Sequence, residues 1–176
     1  MKPDQILIVP RRTSYTPARA RSDLEAWPLL WDQPDAEVEI SVVFTADLPL
    51  ARALFADWKA RRNPVKIGGP ALDDPGGPFI PGRYVKPGIT FTSRGCPNAC
   101  PWCYVGPREG KLRTLDIQPG NVIQDNNFLA CPKEHRRKVY SMLRRQKAVA
   151  FRGGLEACRL TDWDLDEMRS LRLSEL

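Results

Sequence analysis

Apolar and polar residues alternate across "VEISVVFT" (38–45), placing Val38, Ile40, Val42 and Phe44 on one side, the period-two pattern of a half-buried strand. The next stretch, "ADLPLARALFADWKARR", changes period. Asp47 stands at a helix-capping position, Pro49 falls in the first turn, and Leu50, Leu54, Phe55 and Trp58 share one face, which predicts an amphipathic helix. "VKIGG" then reads as a short buried strand. Residues 38–70 are therefore expected to form a small Rossmann-like strand–helix–strand segment with parallel pairing and a right-handed crossover. Ahead of it, residues 1–37 are rich in Arg and Pro and end in the apolar cluster "AWPLLW"; they read as an irregular lead-in.

Between Asn63 and Gly88 the chain carries six Pro and six Gly in 26 residues, too many for regular structure, so 71–87 reads as a linker. The pattern restarts beyond it. "GITFTS" (88–93) and "NVIQDNNFLA" (121–130) read as strands, "CPKEHRRKVYSMLRRQK" as a helix with Val139, Met142 and Leu143 inward, "AVAFRGG" as a third strand, and a further helix starts near Asp162. This alternation predicts an α/β domain over 88–176 with a parallel sheet and crossover helices. In such sheets functional groups gather at the carboxyl ends of strands. The loop "RGCPNACPWCYVG" (94–106), "DNN" (125–127) and "GGLEA" (153–157) each fall at such an end.

With 176 residues, 42% of them hydrophobic, the chain can bury a core, and its apolar runs fall short of the roughly 18 to 20 residues a membrane span needs. The start "MKPDQILIVPRR" lacks a signal-peptide pattern, which gives a cytoplasmic expectation. The net charge of +6 is concentrated: residues 133–147 carry seven Lys or Arg against one Glu. Such a helix is either a solvated face or a phosphate- or nucleic-acid-binding one. His135, the only histidine, lies on it and reads as a helix-surface residue.

Three of the five cysteines, Cys96, Cys100 and Cys103, stand within eight positions. In a reducing compartment clustered thiols point to metal or cluster ligation rather than disulfides. Three thiolates leave a four-coordinate metal, or a four-iron cluster, with one position not filled by protein. For a structural zinc site Cys131, Cys158 and His135 are candidate fourth ligands, but none stands at zinc-finger or zinc-ribbon spacing; Cys131 and Cys158 otherwise read as small buried thiols.

"CPNACPWC" resembles the Cys-x-x-x-Cys-x-aromatic-Cys signature of the radical S-adenosylmethionine (radical SAM) superfamily, with Trp102 in the aromatic position. The resemblance implies a four-iron four-sulfur (4Fe-4S) cluster held by Cys96, Cys100 and Cys103, with S-adenosylmethionine chelated to the fourth iron and the backbone near Trp102 meeting the adenine. It implies reductive cleavage of S-adenosylmethionine to a 5'-deoxyadenosyl radical, fed by an electron donor such as flavodoxin or ferredoxin. "QDNNFLA" is similar to the second-strand motif of members with an N-terminal cobalamin-type domain, which gives Asp125, Asn126 and Asn127 a contact with the methionyl amino group. The same three residues also suit a strand-end turn. Glu156 and Arg159 at the third strand are expected near the cofactor, or as a surface ion pair.

The strand–helix–"VKIGGPAL" arrangement is similar to the end of a cobalamin-binding domain, but the Asp-x-His-x-x-Gly loop is absent, so cobalamin is not expected. The 89 residues from Gly88 to Leu176 hold about three strand–helix units of about 30 residues, against the family's about six. The expectation is thus a partial (β/α) barrel of radical-SAM type preceded by a Rossmann-like βαβ segment, apparently truncated. Its open edge would favour a homodimer or a partner that completes the barrel. The alternatives are a catalytically inactive iron–sulfur or zinc-binding interaction module and a nucleic-acid-associated modification protein.

Overall fold

The computed structural model describes residues 5–29, 32, 35–74 and 78–175 and divides the chain into two compact units, 1–77 and 78–176. The division falls inside the Pro/Gly-rich stretch. Leu30 and Trp31, which close the apolar cluster "AWPLLW", lie outside the described residues.

In the first unit, β1 (Gln5–Ile8), β2 (Glu37–Ser41) and β3 (Val65–Gly68) form a parallel sheet in that order. Ile8 pairs with Ile40, and Ile40 with Ile67. The lead-in is therefore not irregular throughout: β1 is the first strand of the sheet. Helix α1 (Leu48–Ala60) connects β2 to β3 and buries Ala51, Leu54 and Trp58 against Ile8, Val38, Ile40 and Val42. Trp58 is fully enclosed, and its indole Nε1 donates to the Ala26 carbonyl at 2.8 Å, so a large apolar area is buried without stranding the N–H.

Two expectations for this unit change. Phe44 and Leu50 are exposed, because the strand ends at Ser41 and the chain turns before α1. Asp47 occupies the capping position without capping α1; its carboxylate takes Arg11 at 2.8 Å instead.

The second unit is built on β4 (Ile89–Thr90), β7 (Val122–Ile123), β8 (Val149–Phe151) and β9 (Leu173–Glu175), all parallel and adjacent in that order. Among the described residues this sheet is open and no barrel forms. Helix α3 (Lys133–Leu143) connects β7 to β8, and α4 (Asp162–Arg169) connects β8 to β9. Their core is Phe128, Tyr140, Phe151 and the partly buried Trp163, with ring centroids 5.4–5.7 Å apart, the spacing of favourable aromatic pairs. The stretch 121–130 is a strand only at Val122–Ile123; "DNN" then turns into a single 3-10 turn over Phe128–Ala130.

The basic helix is not a uniformly solvated face. Arg136 is buried against Asp164 at 2.5 Å, while Arg137 pairs with Glu134 and Arg144 with Glu167. Among the described residues no helix is long and apolar enough to cross a membrane.

Candidate functional site

The cysteine loop is tied off at its base. β5 (Ser93–Arg94) and β6 (Arg113–Thr114) pair antiparallel, so residues 95–112, including the short helix α2 (Val105–Glu109), form one closed excursion. Gly95 lets the loop leave this ribbon: its φ is +77°, and a Cβ there would stand 2.3 Å from the Lys111 carbonyl oxygen. The Cys96 amide donates to the Gly110 carbonyl at 3.3 Å, closing the excursion behind the first cysteine.

The ends of β7 and β8 bear on this loop. Asn126 accepts the Gly95 amide at 3.0 Å. Asn127 Nδ2 donates both to Cys96 Sγ at 3.4 Å and to Glu156 Oε2 at 2.7 Å. Glu156 in turn accepts from Arg159, whose Nη2 reaches Asn98 Oδ1 between the first two cysteines at 3.4 Å. A connected set of contacts therefore runs from Cys96 through Asn127, Glu156 and Arg159 back to the cysteine loop. Hydrogen bonds from Asn127, then Arg159 and Cys158, hold the Glu156 carboxyl well below its usual range, to about 2.

Glycines make this convergence possible. A Cβ on Gly153 would lie 2.0 Å from the Asp125 carbonyl oxygen, and one on Gly154 2.0 Å from that of Asn126, so only glycine lets the end of β8 run against "DNN". The Gly154 amide donates to the Asp125 carbonyl at 2.8 Å, and the Gly154 carbonyl accepts from Phe128 at 3.0 Å.

Asp125 is placed differently from its expected role. It is 1% exposed, and its carboxylate accepts the Thr92 amide at 2.6 Å, the Thr92 hydroxyl at 2.5 Å and the Ser93 hydroxyl at 2.8 Å. It faces inward and locks the end of β7 to the segment that launches the cysteine loop. Thr92 and Ser93 were missed from sequence; their signal is a pair of small hydroxyl residues immediately before the loop. Asn98 was missed as well, and carries no signal beyond its place within the motif.

The remaining expected residues are spread out. Trp102 is 89% exposed, with its side chain in solvent. Cys131 is buried, as expected of a small core thiol, and burial pushes its thiol up. Cys158 is exposed, correcting the buried reading: its Sγ lies 3.2 Å from Glu156 Oε1, an interaction that raises its thiol. His135 is half-buried rather than on the surface. Its ring bonds the Thr92 backbone, its Nε2 is enclosed with no protein partner, and burial holds it below its usual value.

No protein-family model, no curated protein and no solved structure matches this chain.

The donor set itself tests whether a cluster fits. All three loop cysteines are free thiols. Two of the sulfurs already accept N–H groups, Cys96 from Asn127 and Cys103 from the Val105 amide at 3.4 Å, which is how thiolate ligands of iron–sulfur clusters are supported. Asn127 Oδ1 is buried without a hydrogen-bond partner. Among the described residues no three His, Cys, Asp or Glu side chains are yet close enough to hold a metal ion. The ligand types fit a cluster.

Proposed function

We propose that this chain is a radical SAM protein whose Cys96, Cys100 and Cys103 hold a 4Fe-4S cluster and whose parallel sheet of β4, β7, β8 and β9 is part of a radical-SAM-type barrel. The observation that carries this reading is the connected set Cys96–Asn127–Glu156–Arg159–Asn98, in which two strand ends meet the cysteine loop. The convergence sets polar side chains from two strand ends beside the loop, where a molecule bound next to the metal would meet them.

The chemistry such a cluster supplies when bound is transfer of one electron to S-adenosylmethionine, whose sulfonium carbon–sulfur bond breaks to give methionine and a 5'-deoxyadenosyl radical that takes a hydrogen atom from a substrate. The residues of this chain bind and orient. Asn127 offers Oδ1 to the methionyl ammonium. Asn126 and Gly95 fix the start of the loop, and Arg159, released in part from Glu156, pairs with a carboxylate. Asp125 takes no part in ligand contact and serves as the buried tie beneath the site. The electron comes from a one-electron donor such as flavodoxin or ferredoxin.

The test is anaerobic reconstitution with iron and sulfide, reduction in the presence of S-adenosylmethionine, and chromatography for 5'-deoxyadenosine, with Cys100→Ala as control. Cysteine-dependent iron uptake with 5'-deoxyadenosine formation is the expected result. Uptake of zinc with rejection of iron, or iron binding with no cleavage, would overturn the enzyme reading.

A further inference from the structure

Asn127 has two polar ends, and the contact with a ligand amine proposed above uses only one of them. The residue is 4% exposed, and both protons of its Nδ2 are committed, one to Cys96 Sγ at 3.4 Å and one to Glu156 Oε2 at 2.7 Å. The amide orientation follows from these partners: with the side chain flipped, Oδ1 would face a carboxylate oxygen. Glu156 is itself steadied by Arg159 and by Cys158 Sγ at 3.2 Å. A half-buried carboxylate on the β8 side therefore fixes a buried amide on the β7 side, and the amide fixes the sulfur of the first cysteine.

We propose that the Glu156–Asn127 pair is a positioning device for Cys96, which sets how tightly the three-cysteine loop holds its metal and, for a bound cluster, how easily it is reduced. The inference rests on the reading that these cysteines ligate metal, and not on radical chemistry. Its physical basis is twofold. A ligand already held in place loses less freedom on binding, and second-shell partners of metal ligands typically account for about 10- to 100-fold in affinity. An N–H donated to a ligand sulfur also disperses its negative charge, favouring the reduced, more negative cluster and raising its potential. Asn127 is thus a positioning residue acting through Cys96, with its Oδ1 left for a ligand.

The experiment titrates the full-length reduced chain with cobalt(II), followed by thiolate-to-cobalt charge-transfer absorption, a readout independent of turnover. Asn127→Leu is expected to weaken cobalt binding about 10- to 100-fold. Glu156→Leu, at a more accessible position, is expected to weaken it in the same direction, and Glu156→Gln, which keeps an acceptor for Nδ2, to restore it. On reconstituted protein, Asn127→Leu is expected to lower the reduced-to-oxidised ratio at fixed potential by about tenfold, equivalent to about 59 mV for one electron. Unchanged affinity in both Asn127→Leu and Glu156→Leu, with circular dichroism showing both folded, would overturn the proposal, as would failure of the wild type to take up cobalt or iron. Asn127-dependent cobalt binding without 5'-deoxyadenosine would sink only the enzyme reading; 5'-deoxyadenosine formation by the wild type, with cobalt affinity unchanged in Asn127→Leu and Glu156→Leu, would sink only this one.

Discussion

Arg136 and Asp164 form an ion pair at 2.5 Å in which the carboxylate is fully enclosed, joining α3 to α4 behind the sheet. Asp164 does more than balance a charge. It also accepts from Tyr140 Oη at 3.2 Å and from the Thr161 hydroxyl at 2.6 Å, while Thr161 Oγ1 accepts the Asp164 amide to complete a capping box at the start of α4. One carboxylate therefore anchors two helices. Asp164→Ala strands a buried guanidinium and uncaps α4, and is expected to cost about 3–5 kcal/mol in urea denaturation. The double substitution Arg136→Met/Asp164→Leu is expected to recover most of that loss, because it removes both charges from the interior. A double variant no more stable than Asp164→Ala would show that the pair itself holds the helices together.

That pair also marks where sequence patterns stop being informative. The run 133–147 reads as a basic face because seven of its side chains carry positive charge, and nothing local distinguishes Arg136 from Arg137. The acid that draws Arg136 inward is 28 residues away. Asp125 follows the same logic. A carboxylate in a strand-end triplet reads as a ligand contact, but three donors from Thr92 and Ser93 make its burial favourable. By contrast, α1, β2 and β3 were legible because their apolar spacing is a local property, and the cysteine loop because its chemistry lies within eight residues. β1 was hidden: "QILI" is a four-residue strand inside an Arg- and Pro-rich stretch, and only its pairing with β2 makes it one. Cys158 was misread because its burial depends on a turn that leaves it outside.

If Asp125 is a tie beneath the site rather than a cofactor contact, its removal should first be felt in stability. Asp125→Ala removes three hydrogen bonds to a charged acceptor and leaves the buried Thr92 amide unpaired, which is expected to cost at least about 3 kcal/mol. Hydrogen exchange should show Thr92 and Gly95 losing protection before the first unit does. Unchanged stability with a selective loss of S-adenosylmethionine binding would return Asp125 to the ligand-contact role.

The close approach of β8 to "DNN" gives a sharp contrast between glycines. Gly153→Ala and Gly154→Ala each drive a methyl onto a backbone oxygen 2.0 Å away, and each is expected to destabilise by about 3 kcal/mol or more and to displace Asn127 from Cys96. Gly106, inside α2, has nothing within 4 Å of where a Cβ would stand. Gly106→Ala is expected to be neutral or to stabilise by about 0.5–1 kcal/mol. Thermal denaturation of the three variants side by side checks the ordering; equal effects at all three positions would contradict it.

Glu156 gives the site a dependence on pH with a definite sign. Its carboxyl is held at about 2, below the ordinary carboxylate value of 4.5, first by the Asn127 hydrogen bond and then by Arg159 and Cys158. A carboxyl depressed by folding stabilises the folded state at pH above its unfolded value. That contribution is therefore complete above about pH 4.5 and is lost as the pH falls through this window toward 2. Because the pair with Arg159 is solvent-accessible, salt should shrink the depression. Carbon-13 titration of the Glu156 carboxyl is expected to show a midpoint well below the ordinary carboxylate value of 4.5, moving upward in Asn127→Leu and in high salt. The midpoint should move more in Asn127→Leu than in Arg159→Ala, since Asn127 is the larger cause. A larger effect of Arg159→Ala would mean that Glu156 is held by the surface ion pair rather than by the buried amide, and the link from β8 to Cys96 would lose its anchor.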